Sequence, residues 1–68
     1  MKNNIRVERA ILRISQQELA NKIGVTRQTI NAMELEKYIP SGVLIMKIAS
    51  VCNKKVEEIF WLEDKDWK

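Results

Sequence analysis

Within nineteen residues, Gln16 to Glu34, the chain starts a helix, stops it and starts another. The first start is Ser15-Gln16-Gln17-Glu18. This is a capping box, in which the Ser15 hydroxyl accepts from the Glu18 backbone N–H and the Glu18 carboxylate accepts from that of Ser15. Leu19, Ala20 and Ile23 then supply one apolar face. Gly24 follows where a left-handed residue is needed to end the helix. Only Val25 separates it from Thr26, a second N-cap, behind which Ile30 and Met33 form the inner face of the next helix. So short a connection forces a sharp angle. Ala20 leaves room for close approach, and Val25 and Ile30 fill the corner. A pair held near 90–120° can lay its second helix in a DNA major groove.

The rest of the chain reads as helix around this unit. Helical spacing dominates and no long period-2 alternation occurs. A first helix is expected over roughly residues 4–13, with Ile5 and Leu12 on one face and Val7 and Ile11 forming a second apolar stripe. Lys37 to Pro40 is a loop, because Pro40 disfavours helix at Ile39. Ser41 caps a fourth helix over about 42–52, with Asn53 as its left-handed stop. A fifth covers about 56–60, with Glu57 and Glu58 in the first turn, where the dipole favours them. Lys55 has no side-chain oxygen to cap it. The fourth helix is apolar nearly all round and is expected to be buried on more than one side. Met33, Met46 and Cys52 read as core.

Size limits the means of stabilisation. At 68 residues the chain is one domain, and such a domain is marginal without a disulfide, a metal or a partner subunit. One cysteine and no histidine leave no internal disulfide and no structural zinc site. No cofactor and no metal are expected, and oligomerisation remains. The sequence has no apolar leader and no run near the roughly 20 residues of a membrane span. These features, with the lone Cys52, point to the cytoplasm. Of the net charge of +3, all of it falls in residues 1–37, with seven Lys/Arg against four acids, whereas residues 38–68 carry five of each sign. That distribution suits a phosphate-facing surface in the first half. No histidine, paired carboxylates or phosphate-binding glycine loop suggests an enzyme, and Ser15 and Ser41 are explained as caps.

The segments Ser15-Gln16-Gln17-Glu18-Leu19-Ala20, Gly24-Val25-Thr26-Arg27-Gln28-Thr29-Ile30-Asn31 and Lys37-Tyr38-Ile39-Pro40-Ser41 resemble the Cro/CI–Xre family of repressors, its short standalone members above all. The resemblance runs from about residue 3 to 60. It implies an all-α, five-helix, lambda-repressor-like domain, with room for a short pair of terminal β-strands. It also implies sequence-specific binding to double-stranded DNA, as a homodimeric repressor on a near-palindromic operator. An antitoxin using the same domain, with a toxin as further partner, is the alternative.

In that setting Arg27, whose fork suits guanine, and Gln28, whose amide suits adenine, are base-reading candidates, with Asn31 a third. Gln16, Thr26, Thr29, Lys37 and Tyr38 take the places of phosphate or orienting contacts. Arg9 and Glu34 fall where the family sets a partly buried ion pair. Residues 56–67 correspond to a dimerisation segment, with Phe60, Trp61 and Leu62 at the seam. Residues 60–63 are expected to be extended and paired with residues 1–3. The alternative for Trp61 is that it folds over its own first helix in a monomer.

Four positions depart from the family pattern. Leu35-Glu36 stands where Asn-Gly is common, so a positive φ at Glu36 would cost about 1 kcal/mol and put negative charge near an expected phosphate. Glu8 occupies a commonly apolar position and Ile11 a commonly polar one.

Overall fold

The computed structural model describes residues 1–68. Its elements in chain order are β1 (Lys2–Asn3), α1 (Ile5–Leu12), α2 (Gln16–Ile23), α3 (Arg27–Glu34), α4 (Gly42–Cys52), α5 (Val56–Ile59), β2 (Phe60–Trp61) and a terminal 3₁₀ turn, Asp64–Trp67. The five helices and the two-stranded sheet agree with the expected architecture. β1 and β2 run antiparallel, with Lys2 opposite Trp61 and Asn3 opposite Phe60.

Three of the expected caps form. The Ser15 hydroxyl accepts from Glu18 N, and Glu18 Oε1 accepts from Ser15 N, completing the capping box. Thr26 Oγ1 accepts from Thr29 N at 3.2 Å and Ser41 Oγ from Leu44 N at 3.3 Å. At Lys55 the side chain makes no cap, and the Glu58 carboxylate accepts from the Lys55 backbone N–H instead.

The first four helices stop in similar ways. Arg13, Gly24, Glu36 and Asn53 all have left-handed φ, at 57°, 76°, 61° and 53°. The backbone closes behind each: Ile14 N donates to Arg9 O, Val25 N to Ala20 O, Lys37 N to Ala32 O and Lys54 N to Ala49 O. Only one of the four is glycine. Each of the others carries a Cβ in a region that costs about 1 kcal/mol for an L-residue, least for asparagine. Arg13 has no sequence signal for this role.

The core gathers Ile5, Leu19, Ala20, Ile23, Ile30, Met33, Ile48, Ala49, Cys52, Ile59 and Phe60. Burial, and then the negative charge of Glu8, pushes the Cys52 thiol up, so it stays protonated and inert. Several expectations need correction. Phe60, expected at a subunit seam, is 4% exposed and belongs to this core. Strand alternation explains it, since β2 turns Phe60 inward and Trp61 outward. Met46, expected in the core, is 68% exposed, and Leu12 is exposed too. Helix α4 buries only Ile48, Ala49 and Cys52 fully, and leaves Val43 and Met46 in solvent.

Glu8 fills an apolar position and is buried to 5% exposure. Lys54, just beyond α4, reaches it at 3.3 Å and neutralises it. The ion pair thus substitutes for an apolar contact between α1 and the end of α4.

Candidate nucleic-acid interface

The packing of α2 on α3 decides which side chains of α3 stay outside. Ile30 and Met33 are fully buried, so residues on the opposite side face solvent. Arg27, Gln28 and Asn31 are exposed there. Together with Gln16 at the start of α2 they line a cleft of about 250 Å³ that has no apolar wall. Four of the residues singled out from the sequence therefore meet in one polar site. Thr26 and Thr29 flank it, with their hydroxyls 3.0 Å apart. Lys37 and Tyr38 are exposed in the loop beyond α3 and do not line the cleft.

Behind the cleft runs a chain of hydrogen bonds. Arg9 Nε donates to Glu34 Oε2 at 2.6 Å and Arg9 Nη2 to Glu34 Oε1 at 3.1 Å. Arg9 Nη1 donates to Ile14 O, so the guanidinium also clamps the end of α1. The bidentate geometry is the strong form of an ion pair. The side chains are 17% and 6% exposed, so the pair is largely desolvated. The hydrogen bond to Glu34 raises the pKa of Arg9 further and keeps it charged. Glu34 Oε1 also accepts from Gln16 Nε2 at 3.1 Å, and Gln16 Nε2 donates to Asn31 Oδ1 at 3.3 Å. Helices α1, α2 and α3 are thus joined by polar side chains at the edge of the cleft.

Arg6 was missed by sequence reasoning. It is exposed and lines a neighbouring cleft of about 300 Å³ together with Arg9, Gln16, Asn31, Glu34 and Leu35. Its position three residues before Arg9 places the two on one helix face, and that spacing was the available signal. Two other contacts fix the surroundings of α3. Asn3 Nδ2 donates to Met33 O at 2.9 Å, tying β1 to the end of α3. Glu36 has Lys2 at 3.5 Å, which offsets its charge.

A helix-turn-helix family profile matches residues 5–59. The chain belongs to the Cro/CI–Xre helix-turn-helix family. An uncharacterised HTH-type transcriptional regulator of Bacillus subtilis is 42% identical over 66 residues, covering 97% of this chain and all of its own length. One from Methanocaldococcus jannaschii is 47% identical over 66 residues, with the same two coverages. A third, from Archaeoglobus fulgidus, is 44% identical and is covered over 94% of its length. The matched residues, 5–59, make up most of the chain. No helix in it is long and apolar enough to cross a membrane.

Proposed function

We propose that this chain regulates transcription as a dimeric repressor that binds double-stranded DNA, with α3 in the major groove of a near-palindromic operator. The observation that carries the reading is the polar cleft formed by Gln16, Arg27, Gln28 and Asn31 on the exposed side of α3. Arg27 and Gln28 lie in the first turn of the helix, the end that reaches base edges in helix-turn-helix docking. Thr26, Thr29, Lys37, Tyr38 and the newly located Arg6 supply donors and charge for phosphates around them. Repression follows from occupancy alone, since a protein seated on a promoter excludes other proteins from it.

Dimerisation is supported by apolar surface that the monomer leaves open. Trp61 is 44% exposed and Leu62 more so, and Val7, Ile11, Val43 and Met46 are also exposed. Patches of this kind on a small domain mark contact sites. Between α4 and α5 lies a groove with Met46, Ala49 and Val56 among its lining residues and Lys54, Lys55, Glu57 and Glu58 beside them. Adjacent lysines and glutamates can pair with a second copy across a two-fold axis, where one patch meets itself.

Selection of bound duplexes from random DNA tests the reading. The expected result is an enriched inverted repeat whose half-sites are centred about one DNA turn apart, roughly 34 Å. Affinity for it should fall steeply as salt rises. Absence of any enriched sequence, or binding indifferent to salt, would contradict the proposal.

A further inference from the structure

Arg6 is a cation that the rest of the chain leaves uncompensated. It is exposed in the first turn of α1 and lines the cleft that α1 shares with Gln16, Asn31, Glu34 and Leu35. It forms no ion pair. The carboxylates around it are already held by other cations. Both oxygens of Glu34 accept from Arg9. Glu8, on α1 itself, has Lys54 at 3.3 Å, and Glu36, one residue beyond Leu35, has Lys2 at 3.5 Å. Arg9 is committed as well, with all three guanidinium nitrogens bonded to Glu34 and Ile14. Arg9 and Glu34 cancel, so the cleft keeps the one positive charge of Arg6. Helix stability does not account for that charge, because the first turn of a helix disfavours a cation.

We propose that this cleft is a separate site for one phosphodiester of the DNA backbone, with Arg6 as its charged ligand and Leu35 against the adjoining deoxyribose. This rests on the reading of α3 as the base-contacting helix. The cleft shares Gln16 and Asn31 with the polar cleft of Arg27 and Gln28 and so lies directly beside it. A helix seated in a groove has the backbone of the duplex along its flank, and α1 stands on that flank of α3. A guanidinium presents parallel N–H donors that fit the two free oxygens of a phosphodiester. Leu35, 56% exposed, is the one apolar residue of the cleft. A free phosphate ion has nothing to set against it, whereas a sugar–phosphate link has the sugar. Arg9 and Glu34 tie α1 to α3, so a phosphate held by α1 fixes the register of α3 on the bases.

Methylphosphonate substitution, which removes the charge of one backbone position at a time, tests this on the selected operator. The proteins are the wild type, Arg6→Gln, Arg6→Lys and Lys22→Gln, each first shown to be folded by circular dichroism. Lys22 is an exposed cation of α2 that lines neither cleft. Neutralising one phosphate per half-site should weaken the wild type and Lys22→Gln about tenfold, the worth of one charge-assisted hydrogen bond. The same substitution should leave Arg6→Gln unchanged. Arg6→Gln should also bind operator and random duplex less well by the same factor, with a salt slope smaller by about 1 and unaltered base preferences. Arg6→Lys should recover the slope but only part of the affinity, since it lacks the fork. Equal sensitivity of the wild type and Arg6→Gln at every backbone position would overturn the proposal. So would a salt slope reduced as much by Lys22→Gln, which would leave Arg6 acting through net charge alone. Undiminished DNA binding by Arg6→Gln would assign the cleft to a partner other than DNA. Failure of the wild type to enrich any sequence would remove the DNA reading itself, and this site with it.

Discussion

The α2–α3 unit and the segment from α4 to the end of the chain treat their surfaces in opposite ways. In α2–α3 the helix starts are capped by side chains, and the outward polar groups are joined in a network that reaches back to Arg9. The apolar residues of that unit are inside, with Leu19, Ala20, Ile23, Ile30 and Met33 all in the core. In the second region α4 has an apolar face on either side, and only one is covered. β2 continues the contrast at single-residue scale, with Phe60 inside and Trp61 outside. A surface organised by directional bonds can recognise a polar partner in a fixed geometry. A surface with open apolar side chains suits a partner of the same kind, for which a second copy of the chain is the proposed occupant.

The contrast can be broken most severely at Phe60. Phe60→Ala removes a core side chain and should cost about 3–5 kcal/mol of stability, enough to unfold much of so small a domain. Trp61→Ala, one residue on, should change urea unfolding of the isolated chain far less and instead lower self-association. Similar losses of monomer stability in both variants would show that Trp61 packs on its own chain.

Glu34→Ala strikes the other region. It strands the Arg9 guanidinium in a largely buried place and deprives Gln16 of its acceptor, so a loss of about 3 kcal/mol in urea denaturation is expected. A loss within the ~0–1 kcal/mol of a surface pair would mean that the pair is solvated and that the network does not hold the cleft.

Smaller effects separate the kinds of DNA contact. Arg27→Ala and Gln28→Ala should each cost about 1–3 kcal/mol on the selected operator and relax one position per half-site. Lys37→Ala should weaken all sequences alike and reduce the salt slope by about 1. Equal losses on operator and random DNA for Arg27→Ala would make Arg27 a phosphate contact. Smallest is Glu36→Gly. Relief of a left-handed glutamate gains about 1 kcal/mol, less the ~0–1 kcal/mol of the exposed Lys2 pair. Thermal melting should therefore rise slightly and DNA affinity increase with the loss of a negative charge. A lower melting temperature would show that the Lys2–Glu36 pair outweighs the strain.

Much of this was legible in the sequence for local reasons. Capping boxes, Gly24 and Asn53 are short-range signals, because the bonds they make lie within a few residues. The terminal strand pair and the extended stretch from Phe60 were legible through the family resemblance. What escaped depends on distance across the fold. The partner of Glu8 is Lys54, forty-six residues away, and nothing near either position announces it. The sequence places Met46 in the core because α4 is apolar nearly all round, and periodicity does not say which of two apolar sides a small domain has the means to cover. Arg13 adopts a left-handed stop because α1 must turn into the α2 cap at Ser15, a tertiary demand placed on an ordinary residue. At the candidate site the residue types were readable, but the orientation of Asn31 was not. It follows from a chain of contacts through three helices.

The central claim is that two chains, joined through the second region, present two copies of the first region to one DNA duplex. Sedimentation equilibrium of the protein with the selected duplex, at micromolar concentration, measures this directly. The account predicts two chains per full inverted repeat, and a dimer in the absence of DNA that Trp61→Ala and Leu62→Ala shift toward monomer. A chain that remains monomeric alone and binds the full repeat one chain per duplex would contradict it.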